Sequence, residues 1–190
     1  MRKLKTPQKE ILNESQLRDQ FSTPNYATKL LLPFIPKDIK YIWECAAGDG
    51  KIADVLENNG YSVIKTDIRD CNGKNEIFNF LSINSKASLE NTAIITNPPF
   101  SLKRRFFERC TQFNVPFALL LPFDISRFLI SAFKEYNCQG IVPSRRINFI
   151  PPSGNGSGAQ FHSFWLTRYF NLANQLNFAD LSLDDIHNDI

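Results

Sequence analysis

Apolar positions along the chain switch between two periods, and the switches mark out the elements. Lys40-Tyr41-Ile42-Trp43, YSVIKTD ending at Asp67, NEIFNF ending near Asn79, NTAIITN and VPFALLLP are short apolar or β-branched runs of strand length. Between them, KIADVLENNG, SLKRRFFERCTQF and DISRFLISAFKEY carry helical spacing, the first closed by Gly60. Upstream, Thr23 and Pro24 form an N-cap and first-turn pair that predicts a helix through about Leu32. Residues 82–90 read as a loop or short helix. Strands alternating with helices predict a parallel sheet with helices on both faces. The last third changes character: RRINFIPP, SGNGSG and AQFHSFWLTR predict an antiparallel hairpin at the sheet edge, turned by a slack Gly/Ser loop.

At 190 residues and 21.8 kDa, the chain has the length of one domain with a real core. The pattern divides it into a basic helix or arm over 1–20, a folded domain over 21–170 and an acidic tail over 171–190. The tail is expected to be a docking helix or a frayed end. A net charge of +3 permits a nucleic-acid partner without arguing for one. The four cysteines show no C-x-x-C pairing, which speaks against a zinc site or disulfide framework and for a reduced, cytoplasmic setting. Two histidines make a histidine metal centre a poor expectation. No stretch approaches transmembrane length, and no apolar h-region follows the charged N-terminus.

Candidate chemistry gathers at the predicted strand ends. The fourth strand runs into Asn97-Pro98-Pro99-Phe100, and two prolines stop a ladder because neither donates a backbone hydrogen bond. The stiff turn offers an amide, a carbonyl and a flat ring, which suit a planar group carrying an NH2. A rigid strand-to-helix turn capped by Asn97 is the structural alternative. GDGKIA, from Gly48 to Ala53, satisfies G-x-G-x-x-G/A between a strand and a helix, and Asp67 ends the next strand where it can accept both hydroxyls of a ribose. Together these point to an adenosine-containing ligand, with a tight structural turn as the alternative. Glu44, four residues before the first glycine, is awkward beside a pyrophosphate but suits an ammonium or sulfonium group.

ECAAGDG, TD, NF and NPPF, in this order on these strand ends, resemble the N6-adenine methyltransferases of the class I S-adenosylmethionine-dependent fold, and the small phage-type DNA adenine methylases in particular. FSTP upstream, FALLLP and the RRINFIPP…HSFWL hairpin resemble further elements of that family, so the similarity covers roughly residues 20 to 170. The resemblance implies a seven-stranded, mostly parallel Rossmann-like sheet with a C-terminal antiparallel hairpin. It also implies that Ala46, Gly48 and Gly50 line S-adenosylmethionine, that Glu44 faces its amine and that Asp67 holds its ribose. Asn79 and Phe80 would bound the adenine, with Asn79 standing where the family more often has Asp. Phe21 and Thr23 would close over the cofactor. Asn97, Pro98, Pro99 and Phe100 would form the catalytic turn, Asn97 also touching the cofactor.

The implied reaction is methyl transfer to adenine N6, in DNA before RNA, with the base flipped out or single-stranded. A protein glutamine amide presents the same NH2 geometry. An NAD-linked oxidoreductase would use GDGKIA and Asp67 but leave NPPF without a role, and a catalytically silent nucleic-acid-binding module is the remaining alternative. Lys103, Arg104 and Arg105 follow the turn and Arg145 and Arg146 open the hairpin, as phosphate contacts or as solvated faces. His162 is expected to pack within the hairpin. No stretch is long enough for a separate target-recognition domain, which predicts short specificity, a protein partner or a homodimer.

Overall fold

The computed structural model describes residues 21–69, 73, 75–82, 89–151 and 161–187. The basic segment 1–20, most of 82–90 and the SGNGSG loop fall outside the described residues. Eight strands form one sheet: β1 (Tyr41–Glu44), β2 (Ser62–Asp67), β3 (Glu76–Ile77), β4 (Thr92–Thr96), β5 (Phe117–Pro122), β6 (Gln139–Pro143), β7 (Ser163–Arg168) and β8 (Leu176–Ala179). Their order is β3-β2-β1-β4-β5-β7-β6-β8. β7 runs antiparallel to both of its neighbours, and every other pairing is parallel. The helices are α1 (Asn25–Lys29), α2 (Lys51–Asn58), α3 (Lys103–Phe113), α4 (Arg127–Glu135) and α5 (Leu183–His187). The expected Rossmann-like architecture is therefore present, and none of these helices is long and apolar enough to cross a membrane.

The central strands are apolar along their whole length because both faces are covered. Side chains alternate faces. Ile42, Ala93, Ile95, Ala118, Leu120 and Trp165 pack on one side with Ala27, Leu31, Ile52 and Leu56 of the α1 and α2 layer. Trp43, Ile94, Phe117, Leu119, Leu121 and Phe164 pack on the other with Phe106, Phe107 and Cys110 of α3 and Leu129 and Ala132 of α4. The two buried indoles are satisfied: Trp165 Nε1 donates to the Ala27 carbonyl and Trp43 Nε1 to Thr66 Oγ1, both at 2.9 Å. β1 pairs with β2 on one side and β4 on the other, so the connections leave it in opposite directions. That reversal opens a crevice at the C-terminal ends of the strands.

Four elements differ from the sequence reading. The antiparallel pair exists, but its first strand is β6 at 139–143, whereas RRINFIPP contributes only the single bridge Ser22–Ile150. The pair is also not at the sheet edge: β7 is inserted between β5 and β6. The tail is neither a docking helix nor a frayed end throughout, since its residues 176–179 add an eighth strand beside β6. NEIFNF keeps only two strand residues, because Phe80 turns inward to stack on Phe106 and opens a 3-10 turn at Phe80–Ser82. Finally, Thr23 does not cap α1, which starts without a side-chain cap.

Gly140 on β6 explains how β8 docks. A Cβ there would lie 2.9 Å from Leu176 Cδ2 on β8 and 3.2 Å from the Phe164 ring on β7. Leu176 uses the space that a side chain would take. Gly140→Val is expected to cost about 1–3 kcal/mol through overpacking and to loosen β8, as read by urea unfolding and by hydrogen exchange at residues 176–179. A change below about 0.5 kcal/mol, within the range of surface substitutions, would show that β8 docks otherwise.

Candidate functional site

The crevice holds a cavity of about 500 Å³, a volume in the range of small-molecule sites. Its floor is the loop between β1 and α2, its sides are the ends of β2 and β4, and its roof is the segment before α1 with Ile150 and Pro151. The floor bends through Gly48 (φ +53°) and Gly50 (φ +87°), a left-handed backbone that glycine adopts without a Cβ penalty. Two side chains hold it: the Gly48 N–H donates to Asp67 Oδ2 at 2.9 Å, and Asn75 Nδ2 donates to the Gly48 carbonyl at 2.8 Å.

Glu44 closes β1 and is buried against the cavity. Burial pushes its carboxyl well above the usual range. The Ala53 N–H, in the first turn of α2, opposes that shift, and the charges of Asp49, Asp67 and Asp54 add to it. Oε2 has no hydrogen-bond partner. A buried carboxyl with one bare oxygen, facing a cavity, is a costly arrangement that a cationic ligand group would relieve.

Asn97 carries the second bare acceptor. Its Nδ2 donates to Thr23 Oγ1 at 3.0 Å, which fixes the amide plane and turns Oδ1 away from Thr23. Oδ1 is buried and has no partner. The roof is tied down beside it. Ser22 exchanges two backbone hydrogen bonds with Ile150, at 2.8 and 3.0 Å, and its hydroxyl donates to Asp49 Oδ2 at 2.5 Å.

Among the expected cofactor residues, Phe21, Thr23, Glu44, Ala46, Gly48, Asp67, Asn79, Phe80 and Asn97 all line this one cavity. Asp67 is partly engaged, since Oδ1 accepts from the Arg69 N–H at 2.9 Å while Oδ2 holds Gly48. Asn79 Oδ1 accepts from the Leu81 N–H at 3.0 Å, so the oxygen offered to a ligand amine already supports a turn. Phe80 shows the cavity one edge and packs mainly into an aromatic cluster with Trp43, Phe106 and Phe113. Gly50 lies just behind the floor as the residue before α2.

The turn itself is divided. Pro99 lines the cavity, Pro98 is buried, and the Pro99 carbonyl accepts from the Leu102 N–H at 2.8 Å. Phe100 does not line the cavity and packs beside it, edge-on to Phe149 at 5.8 Å and Phe161 at 5.5 Å.

None of the five basic candidates lines the cavity. Lys103 is paired with Asp124 at 2.7 Å, and Arg145 Nε donates to the Leu181 carbonyl at 3.0 Å, anchoring the C-terminal segment. Arg104, Arg105 and Arg146 are exposed. His162 meets the expectation of a packing role, its Nε2 lying 2.9 Å from the Pro143 carbonyl.

The structure also adds residues that the sequence did not single out. Ser22, Cys45, Asp49, Ile68, Phe78 and Ile150 line the same cavity. Burial pushes the Cys45 thiol up, so it is a packing group in the wall. Ser22 and Ile150 meet only through a contact between distant segments, which no local pattern signals.

Glu44 generates a pH-dependent prediction. Its folded carboxyl titrates above the ordinary value near 4.5, so its favourable contribution is complete below that value and is lost as pH rises towards the raised one. Glu44→Gln, which mimics the neutral form, is expected to raise the thermal midpoint by a few degrees at pH 7–8 and to change it little at pH 4. Calorimetry at both pH values checks this. Equal shifts at the two would rule out a titrating cause.

No family model matches the sequence, and no curated protein matches it. Solved structures do match in fold. A type I restriction-modification system methyltransferase subunit from Streptococcus thermophilus superposes with a TM-score of 0.59 at 14% identity, over 85% of this chain and 47% of that one. A protein from Pyrococcus horikoshii assigned as an RNA methyltransferase superposes with a TM-score of 0.56 at 16% identity, over 82% of this chain and 88% of that one. The chain thus spans about half the length of the first of these. At such identities the likeness is one of fold, and the fold is the Rossmann-like one shared by these methyltransferases.

Proposed function

We propose that the chain transfers a methyl group from S-adenosylmethionine to the N6 amino nitrogen of adenine in DNA. The observation that carries this reading is the buried, unpartnered Asn97 Oδ1, locked by Thr23 at the edge of a cavity whose floor holds the bare Glu44 oxygen. The cavity suits the cofactor. Glu44 Oε2 would take its ammonium group, Asp67 its ribose hydroxyls, and Ile68, Phe78 and Leu81 would supply apolar walls for a purine. The bound cofactor supplies an electrophilic methyl on a sulfonium.

The remaining chemistry belongs to the chain. The N6 lone pair of adenine is delocalised into the ring and is a poor nucleophile. Accepting one N–H at Asn97 Oδ1 and the other at the Pro98 carbonyl draws the nitrogen towards a pyramidal shape and localises that pair. The stiffness of two successive prolines would hold both acceptors in one place, so that little reorganisation is left for when the base arrives. Phe100 is offset to one side, where its ring and Phe161 would meet the face of an entering base. DNA is the first reading because ECAAGDG, TD, NF and NPPF, in this order on the strand ends, resemble the DNA adenine methylases. RNA is the second reading, because the Pyrococcus protein assigned to RNA is matched over nearly its whole length.

Labelled methyl transfer to duplex DNA, single-stranded DNA and RNA in parallel tests the proposal, with products resolved as nucleosides. N6-methyladenine is expected in DNA, falling about 10²–10³-fold with Asn97→Ala. Label in none of the three, despite cofactor binding, would move the assignment to a protein amide. Thr23→Val removes only the group that orients Asn97 and is expected to lower turnover about tenfold, the equivalent of one hydrogen bond. Cofactor affinity changed as much as turnover would place Thr23 in binding instead.

A further inference from the structure

The loop after β5 holds an isoleucine that folding does not explain. Ile125 is 92% exposed, yet its loop is rigidly built. Asp124 Oδ2 accepts from Lys103 at 2.7 Å, Asp124 Oδ1 accepts from the Ser126 hydroxyl at 2.8 Å, and Ser126 Oγ caps α4 at the Leu129 N–H. Lys103 stands three residues beyond Phe100, so the same pairing ties this loop to the proposed catalytic turn. Phe123 makes a second link, its N–H donating to the His162 carbonyl at 2.7 Å, next to Phe161. Phe161 in turn rests edge-on against Phe100. Phe123 (36% exposed) and Phe161 (40%) are each seated on a ring, Phe164 and Phe100 respectively, so Phe161 borders the turn and Phe123 the loop. Beside this apolar tip stand two exposed guanidiniums: Arg127, two residues on, and Arg104, which lies over the Phe128 ring at 5.8 Å and acts on the Asp124 charge.

Building on the methyl-transfer reading, we propose that Ile125 is a wedge that enters the base stack of duplex DNA and holds open the gap left by an extruded adenine. Two features select duplex DNA over another occupant. A base step is an apolar slot closed by stacking, which a stiffly mounted aliphatic side chain can fill at the cost of unstacking one step. Beside that slot run phosphates, which the Arg104 and Arg127 guanidiniums complement while Asp124 is neutralised by Lys103. A membrane surface or an apolar protein groove would call for a broader apolar face than one isoleucine between two half-exposed rings. The wedge touches neither the cofactor cavity nor the reacting atoms, so Ile125 is a positioning residue. Its contribution disappears when the base is already unstacked.

That difference is the test. Fragmented genomic DNA is methylated by the wild-type chain and by Ile125→Ser and Ile125→Met, in duplex form and after heat denaturation. Ile125→Ser is expected to lower transfer to duplex about tenfold or more, because the unstacked step loses its support, and to change transfer to denatured DNA less than twofold. Ile125→Met, which keeps an apolar tip, is expected to retain most duplex activity. Because the side chain is exposed, the unfolding midpoints should coincide and serve as the folding control. Equal losses on both forms, no loss on duplex, or a wild-type chain active only on denatured DNA would each overturn the wedge. Absence of transfer to either form by the wild-type chain would instead overturn the methyl-transfer reading, and the wedge with it.

Discussion

A carboxyl group buried at the end of β1, with one oxygen left bare, sets the terms for the rest of the site. Burying an acidic group without a partner is unfavourable, and the chain places three further aspartates near enough to make it worse. Only the first turn of α2 offsets this, through the Ala53 N–H. The positive-φ glycines, the Asp67 clamp on Gly48 and the Asn75 clamp on its carbonyl all serve to present that helix end to the crevice. The floor is thus stabilised against its own electrostatics by backbone geometry. On the proposed reading, that arrangement receives the ammonium group of the cofactor.

The roof follows a different logic. It is not an independent element but a short stretch before α1, held at three points. Backbone bonds join Ser22 to Ile150, a hydroxyl joins Ser22 to Asp49, and Thr23 joins Asn97. Each point recruits a different segment of the chain, so floor, wall and roof constrain one another. Thr23 is the clearest case. The cap position of α1 falls on Pro24, one residue later, so the Thr23 hydroxyl is not spent on the helix and reaches across the crevice to the Asn97 amide.

The central part of this design was legible in the sequence. Continuous apolar strands, the glycine turn after β1, Asp67 at the end of β2 and the two prolines after β4 all signal through local chemistry, and the structure gathers them around one cavity. What stayed hidden is non-local. β8 was read as tail because LNFA carries no strong strand pattern, and its place is set by the gap above Gly140. RRINFIPP was read as a strand because it is apolar and branched. Its apolar side chains, Ile147 and Phe149, instead enter the α1-side core, and the Asn148 N–H donates to the Tyr26 hydroxyl at 2.6 Å. The basic clusters divide in a way no local pattern shows: Lys103 and Arg145 are spent on internal partners, while Arg104, Arg105 and Arg146 stay exposed.

The bonds that tie the first described residues to the last third also fix when the site can exist. Tyr26 and Asn148 meet across 122 positions of sequence, and Ala27 and Trp165 across 138. Contacts of such separation carry a large loop-closure entropy and form late in folding. A chain emerging from synthesis would therefore have its glycine turn and proline turn in place long before either is roofed. Ligand capture is thereby coupled to completion of the fold: a bound ligand would stabilise the closed ends of the chain rather than the sheet between them.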